Sequence, residues 1–296
     1  MAVSGSKDFE PNVADYIEEA FERCGLEFRT GYDSATARRS LNFLFADWAN
    51  RGLNRWTIKQ VSQTVASGIS DYPVGTITAT VGSSTSLSVG ETITGGTSEV
   101  TASIITKPSS TTITVTIPSG TFTSGETITG GTSAASTTIS SSPSLEDTQA
   151  TIDILSGVIR RSDSDISIAR ISRDDYLNIP SKTTTGRPIQ FYVDRQITPV
   201  VKIWPVPENS TDIFIYDRLV RIDDVDAAIN TTEIPFRFYP CLAAGLAYYI
   251  SLKKAPERIQ ILKSLYEEEF TRAAEEDRDR ASLTLVPSFN FISAVS

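Results

Sequence analysis

The stretch PCLAAGLAYYISLKK, residues 240–254, is the most uniformly apolar helical pattern of the sequence. Apolar residues occupy nearly every position of its interior: Leu242, Ala243, Ala244, Leu246, Ala247, Tyr248, Tyr249, Ile250 and Leu252. A helix that is apolar on all sides is typical of a protein core, because no face of it is suited to water. The stretch therefore predicts a buried helical spine near the C-terminus.

A second helix is predicted after Pro256, over residues 257–282, because its apolar residues recur at spacings of three and four. Eight acids and five bases lie between positions 257 and 280. Two interpretations stay open: a solvated helix with ion pairs four residues apart, or a helix whose charges pair across the subunits of an oligomer. The candidate inter-subunit residues are Glu267, Glu268, Arg272, Glu275, Glu276 and Arg278.

The last fourteen residues, 283–296, contain no charge but several large apolar side chains. Such a segment is expected to dock, either on the body of its own chain or on a partner. Its candidate docking residues are Leu283, Leu285, Val286, Phe289, Phe291 and Ile292.

Two more helices are predicted at the N-terminus, over residues 12–25 and about 33–50. In the first, Asn12 and Asp15 have the spacing of a capping box, and Gly25 supplies a left-handed stop. The two helices can pack as an antiparallel hairpin. The basic residues of the second helix and its exit favour salt bridges over a nucleic-acid patch; they are Arg38, Arg39, Arg51 and Arg55.

From Trp56 the hydrophobic period changes to two, and between residues 76 and 144 the composition shifts abruptly. Of these 69 residues 36 are Ser or Thr and four are charged. The string GETITGGTS occurs at residues 90–98 and again, 35 positions later, at residues 125–133. Strict alternation and Gly-Gly pairs between β-formers favour hairpins over a disordered tract. We predict an inserted all-β module with two similar halves.

Strand-like runs resume after the module, at residues 151–161, 165–171, 189–193, 200–204 and 213–221. The strands before and after the module are expected to share one sheet. The predicted fold class is α+β: a helical bundle from the N- and C-terminal helices, a β-domain in the middle, and the inserted Thr/Ser-rich all-β module. The predicted domains are 1–55 (helical hairpin), 56–75 with 145–235 (β-domain), 76–144 (module), 236–282 (C-terminal helices) and 283–296 (apolar tail).

The composition excludes several classes of chemistry. The chain contains no histidine, so no mechanism or metal site that uses imidazole is available. A net charge of -9 argues against binding to nucleic-acid backbones, because such binding depends on clustered positive charge. Cys24 and Cys241 are expected to be buried free thiols, with a disulfide as the alternative. No apolar run is long enough for a membrane span and the N-terminus does not look like a signal peptide, so synthesis in the cytosol is expected.

No catalytic, cofactor-binding or metal site is predicted, and the chain is expected not to be an enzyme. The Gly-Gly pairs lack the following Lys-Ser or Lys-Thr of a phosphate-binding loop, which favours hairpin turns. Neighbouring carboxylates, which a glycosidase would need on two sides of a cleft, are interpreted as turn residues between strands. They are Asp163 and Asp165, Asp174 and Asp175, and Asp223, Asp224 and Asp226.

Outside the inserted module, about 200 residues resemble the head-to-tail adaptor (connector) proteins of short-tailed bacteriophages. The resemblance rests on motifs that occur in the same order. They are YDSATARRSLN and FADWANRGL in the second helix, DYL with Lys182 and GRP, WPVP, PFRF, GLAYY, and YEEE followed by AAEEDR.

The resemblance implies a twelve-subunit ring beneath the portal, with a channel through which DNA passes without sequence-specific binding. It implies that the C-terminal segment docks on the portal protein, that tail nozzle or tail tube proteins follow, and that the protein lies at the head-tail junction of the virion. An acidic chain suits a DNA conduit, because negative walls repel phosphates. The module departs from the simplest adaptors, and we interpret it as an outward-facing dock for tail fibres.

Two other functions are weighed. In a tail fibre or host-binding protein, the repeats would be the functional part. The helices at both ends of the chain and the presence of only two copies of the repeat count against this function. A carboxylate-based cell-wall hydrolase of the virion would need two of the acids named above in one cleft.

Overall fold

The computed structural model describes residues 9–29, 31–52, 55–75, 77–145, 151–196 and 199–278. The chain forms two compact units: unit 1 is Met1–Arg55 with Asp224–Ser296, and unit 2 is Trp56–Asp223. Both helices and sheets are present, so the fold is mixed α+β. None of the helices in the described ranges combines the length and apolar character needed to span a membrane.

The helices are α1 (Val13–Arg23), α2 (Gly31–Arg51), α3 (Arg173–Asn178), α4 (Tyr239–Lys254) and α5 (Ile259–Glu276). The strands are β1 (Ile58–Thr64), β2 (Asp71–Pro73), β3 (Ile77–Thr80), β4 (Thr92–Gly95), β5 (Thr101–Ser109), β6 (Thr112–Val115), β7 (Thr127–Gly130), β8 (Ser136–Thr138), β9 (Ser144–Leu145), β10 (Thr151–Arg161), β11 (Ser164–Ser167), β12 (Ala169–Arg170), β13 (Thr185–Gly186), β14 (Gln190–Asp194), β15 (Val200–Trp204), β16 (Val206–Pro207) and β17 (Ile213–Val220).

In unit 1, α4 is the buried spine that its composition predicts, and it contacts α1, α2 and α5. Gly245 lies where three helices converge: a Cβ there would come within 2.9 Å of Leu44 on α2 and of Tyr266 on α5. Three of the nine apolar residues predicted to be buried are not fully so: Tyr248 and Tyr249 are half-buried, and Leu252 near the end of α4 is 49% exposed. The absence of a side chain at Gly245 therefore sets how closely α2 and α5 approach α4.

The N-terminal helices are confirmed. Asn12 and Asp15 form both hydrogen bonds of the predicted capping box, and Gly25 has a positive φ of 68°. The apolar side chains predicted to face the core are buried in both helices. Helices α1 and α2 also contact each other.

Helix α5 is shorter than predicted. Its last α-helical residue is Glu276, whereas the charge and spacing pattern suggested residue 282. Asp277 follows as the C-cap, and its carboxylate, 5% exposed, pairs with Arg237 and accepts a hydrogen bond from the backbone N–H of Arg55 at 2.7 Å. The end of α5 is therefore fixed to two other segments of unit 1.

In unit 2, two four-stranded sheets have the orders β1-β17-β10-β11 and β12-β14-β15-β2. Side chains from both sheets, among them Tyr72, Ile159, Phe191, Val201 and Phe214, form one buried cluster. Strands from before and after the inserted module do pair, β1 with β17 and β2 with β15. The expectation of a single sheet is corrected to two, because β2 lies in the second.

The inserted module is a curved sheet with the order β8-β7-β4-β5-β6-β3-β9. A bridge between Val81 and Ile139 joins β3 to β8, supported by a hydrogen bond from Gly82 N–H to Thr138 O at 2.8 Å. The sheet thus closes on itself around its own apolar cluster, in which Leu87 and Phe122 occupy equivalent places of the two halves. Ile77 at the start pairs with Leu145 at the end, so the chain enters and leaves the module at neighbouring positions.

The close packing at Gly245 predicts that Gly245→Ala lowers the free energy of unfolding by about 1–3 kcal/mol, because the added methyl group must displace two packed side chains. Thermal or urea unfolding of the purified chain measures this. The matched control is Gly31→Ala at the start of α2, where an added Cβ meets nothing within 4 Å. Equal stability of the two variants would contradict the packing constraint.

Candidate functional site

The predicted interaction helix α5 is joined to α2 by a polar network that runs from the buried Trp48 to the partly exposed Glu267. Trp48 Nε1–H donates to Tyr266 Oη at 3.0 Å, and Tyr266 donates to Asp47 at 3.0 Å. Arg51 donates to Asp47 at 2.7 Å and to both carboxylate oxygens of Glu267 at 2.7 and 2.9 Å. The hydrogen bonds from Arg51 hold the pKa of Glu267 below its usual value. Glu267, one of the predicted inter-subunit residues, is therefore occupied within its own chain.

The other predicted inter-subunit residues fall into two groups. Arg272 pairs with Glu268 and, at 3.1 Å, with Glu269, all on the same face of α5. This is the pairing expected of a solvated helix. Glu275, Glu276 and Arg278 are exposed at the C-terminal end of the helix.

The six predicted docking residues of the tail lie outside the described residues: Leu283, Leu285, Val286, Phe289, Phe291 and Ile292. Six positions before the first of them, Asp277 pairs with Arg237 and accepts a hydrogen bond from the backbone of Arg55.

The two nine-residue repeats of the module cap each other. Glu126 of the second copy accepts hydrogen bonds from Thr97 N–H, Ser98 N–H and Ser98 Oγ–H of the first, at 2.7–2.9 Å. Glu91 of the first copy accepts from the equivalent groups of Thr132 and Ser133 in the second, at 2.9–3.2 Å. Strands β4 and β7 pair antiparallel between these contacts. The module is therefore two halves related by an approximate two-fold axis.

Each glutamate also binds its own half, through Ser88 N–H to Glu91 and Thr123 N–H to Glu126. Burial favours the protonated form of Glu126, but its four hydrogen bonds outweigh burial and lower the pKa to about 2. The pKa of Glu91 is lowered against burial in the same way. Both carboxylates stay charged inside the module because the turns of the opposite half supply their donors.

The Gly-Gly pairs lie at hairpin turns, as predicted, but not because they need a left-handed backbone. Positive φ belongs instead to Glu99 and Ala134, at 56° and 53°. The glycines make room: a Cβ at Gly95 would lie 2.8 Å from Glu126, and one at Gly130 would lie 2.6 Å from Glu91. Sequence reasoning missed this role, although the exact repetition of the glutamate and the glycines in both copies was its signal.

The outward face of the module presents hydroxyl groups. Thr92, Thr94, Thr127 and Thr129 are exposed, and Thr94 lies directly opposite Thr129 across the two halves. Because two of the four charges of the module are buried, Glu99 and Lys107 are the ones left near its surface. The surface can thus form many hydrogen bonds but few ion pairs.

The aspartate pairs have structural roles. Asp163 occupies the two-residue turn between β10 and β11, with a φ of 62°, and Asp165 forms a two-bond pair with Arg160 at 2.6 and 2.8 Å. The Arg160 guanidinium lowers the pKa of Asp165, whereas a glycosidase acid needs a raised one. Asp174 and Asp175 lie in the first turn of α3, not in a turn between strands as predicted.

Arg38 and Arg51, which belong to the predicted basic set, bind other residues of the chain, and both cysteines are buried. Arg51 forms the network above, and Arg38 donates to the backbone carbonyl of Asp226. Cys24 and Cys241 are buried and free, as predicted, and burial raises the pKa of Cys24 to about 11. No group of three metal-ligating side chains occurs in the ranges that the structure describes.

No family model and no curated protein matches the chain. The function is therefore argued from the geometry of the two units together with the resemblance of the sequence motifs.

The reciprocal caps predict a stability loss in acid. The pKa of Glu126 is depressed, so its contribution is present above the ordinary glutamate pKa of 4.5 and is lost as pH falls towards about 2. We expect Glu126→Gln to unfold at a lower temperature than the wild type at pH 7, with the difference shrinking between pH 5 and pH 2.

Thermal unfolding of both proteins from pH 2 to pH 7 checks this expectation. The matched control is Glu99→Gln, which removes an exposed carboxylate from the same module. If Glu126→Gln and Glu99→Gln show the same pH dependence, the reciprocal caps do not stabilise the module.

Proposed function

We propose that the chain is a structural virion protein: a head-to-tail adaptor that forms a dodecameric ring, joins the portal to the tail and extends the DNA channel. The observation that carries the proposal is the composition of unit 1, which combines the two ends of the chain, while the β structure lies between them in sequence. The motifs that resemble adaptor proteins follow this division, since the helical ones come from both chain ends.

In this proposal the helices of unit 1 act as the helical bundle of an adaptor. Helix α5 ends beside Asp277, which accepts a hydrogen bond from Arg55, and the uncharged residues 283–296 follow after five intervening residues. A fixed helix end followed by an apolar tail is suited to reach and bind a partner above the ring, which the resemblance identifies as the portal protein.

The charge of the chain supports a conduit rather than a nucleic-acid binder. The net charge is -9. Arg51, one of the four basic residues considered above as a nucleic-acid patch, is paired with Asp47 and Glu267. Duplex DNA passing along an acidic wall is repelled by it and makes no sequence-specific contact. The protein would then lie at the head-tail junction of the virion, with tail nozzle or tail tube proteins below it.

The inserted module is proposed as a dock for tail fibres. Its hydroxyl-rich, weakly charged face and its closed sheet support this role. Most of its buried apolar side chains form a cluster of their own, while Ile105 of β5 belongs to the core of the two four-stranded sheets. The hydroxyl-rich face also favours the second candidate, a fibre or host-binding protein, in which the module itself would be functional. The helical unit 1 counts against that candidate, because fibres are β-structured throughout. The third candidate, a cell-wall hydrolase, has no support from the paired Asp165.

Deleting residues 283–296 is expected to abolish binding to portal rings, because it removes the apolar anchor but none of the contacts described in unit 1. Co-sedimentation with purified portal rings measures binding, and the unfolding temperature reports the fold. The matched control lacks residues 1–7 at the other end of the chain. Unaltered portal binding of the tail-deleted protein would refute the anchoring role.

Removing residues 76–144 and rejoining the strands is expected to leave a folded chain that still forms the ring, because the module begins and ends at paired residues. Circular dichroism and the mass of the portal complex check this. An insoluble product would show that the remaining strands cannot fold without the module, which contributes Ile105 to their core.

A further inference from the structure

An apolar groove of about 380 Å³ lies between α1 and the start of α4. Its walls include Phe9, Tyr16, Phe236, Tyr239, Pro240 and Ala243. Phe9 and Phe236 are 69% and 71% exposed, although aromatic rings are usually covered. The Tyr239 ring packs edge-on against the rings of Phe9, Tyr16 and Phe236 at centroid distances of 5.4–6.4 Å. The groove is therefore preformed by rings that hold one another in place.

The helix beside the groove is acidic. Glu19 on its rim pairs with Arg23 at 2.7 Å. Glu18 and Glu22 on the same helix are exposed and have no ion-pair partner among the described residues. A partner that fills the groove would thus gain from carrying positive charge beside an apolar side chain.

Such a surface exists on α2 of the same unit. Tyr32 and Phe43 are 75% and 57% exposed, and Arg39, one turn before Phe43, is exposed and has no ion-pair partner in the described part of the chain. Lys253 of α4 donates to Ser40 at 2.7 Å, which places a second cation beside Arg39. Burial and the Arg39 charge lower the pKa of Lys253, as expected for two neighbouring cations.

We propose that a second copy of this chain occupies the groove: Phe43 of one copy enters it, and Arg39 and Lys253 face Glu18 and Glu22 of α1. Aromatic residues and arginine are enriched in protein interfaces, and opposite charges around them fix the register. The inference rests on the proposed ring and names the contact that builds it.

The two surfaces share no residue, so one copy can fill the groove of a neighbour while its own groove receives a third copy, which makes the contact heterologous. The alternative, in which two copies each fill the other's groove, would stop at two chains. A heterologous contact repeats from copy to copy and closes into a ring where the rotation allows it. The apolar tail, residues 283–296, fits the groove less well as an occupant, because it has no charge to meet the acids of α1.

Two variants of the full-length chain test the contact: Phe43→Asp, which disables the α2 surface, and Phe236→Asp, which disables the groove. Both positions are exposed, so unfolding temperatures should stay near that of the wild type. Sedimentation at rising protein concentration should show association of the wild type beyond two chains, with the association constant of each variant lower by about tenfold or more.

The deciding sample is an equimolar mixture of the two variants. The intact groove of Phe43→Asp can receive Phe43 of Phe236→Asp, and no further contact can then form. The mixture should therefore stop at twice the 32.2 kDa of one chain. The matched control is Leu177→Asp in unit 2, an exposed apolar residue outside both surfaces, which should associate like the wild type.

A mixture that stays monomeric, or single variants that associate like the wild type, would overturn the inferred contact. If the tail fills the groove instead, deleting residues 283–296 will abolish association while Phe43→Asp leaves it intact. A wild type that is monomeric at every concentration would also contradict the contact. None of these results decides the adaptor proposal, which depends on the complex with portal rings.

Discussion

Unit 1 depends on the close packing around Gly245. Helix α4 comes from the C-terminal part of the chain and α2 from the N-terminal part, and Leu44 and Tyr266 meet α4 at the one position without a side chain. Because Tyr266 is also bonded to Trp48 and Asp47, this packing places the charged face of α5 beside α2. Helices α1 and α2, which carry much of the two surfaces proposed to join copies of the chain, both pack on α4.

Hydrogen bonds to two buried glutamates help to stabilise the inserted module. With 36 Ser and Thr among 69 residues it has few large apolar side chains, so burial stabilises it less than it stabilises an ordinary domain. Glu91 and Glu126 each accept charge-assisted hydrogen bonds from the opposite half, and these bonds add to the stability of a module whose apolar core is small. The same arrangement removes charge from the outside, and this leaves the hydroxyl-rich face on which the proposed docking role rests.

The local features were predictable from sequence, while the non-local ones were not. Hydrophobic periodicity predicted α1, α2 and α4 closely, since burial of one face or of all faces is a local pattern. The end of α5 was missed because it is set by Asp277 and a partner 40 residues away, Arg237. The closure of the module and the pair of Arg51 with Glu267 were missed for the same reason. Spacing along the chain identified the charged helix, but not which of its charges are satisfied within the fold.

If the chain becomes a ring on the portal, light scattering of the purified protein, alone and mixed with portal rings, will detect that ring. At a dilution at which the chain alone is monomeric, we expect a complex that adds twelve copies to each portal ring. A stable trimer that does not change when portal rings are added would refute the adaptor proposal and favour the fibre interpretation.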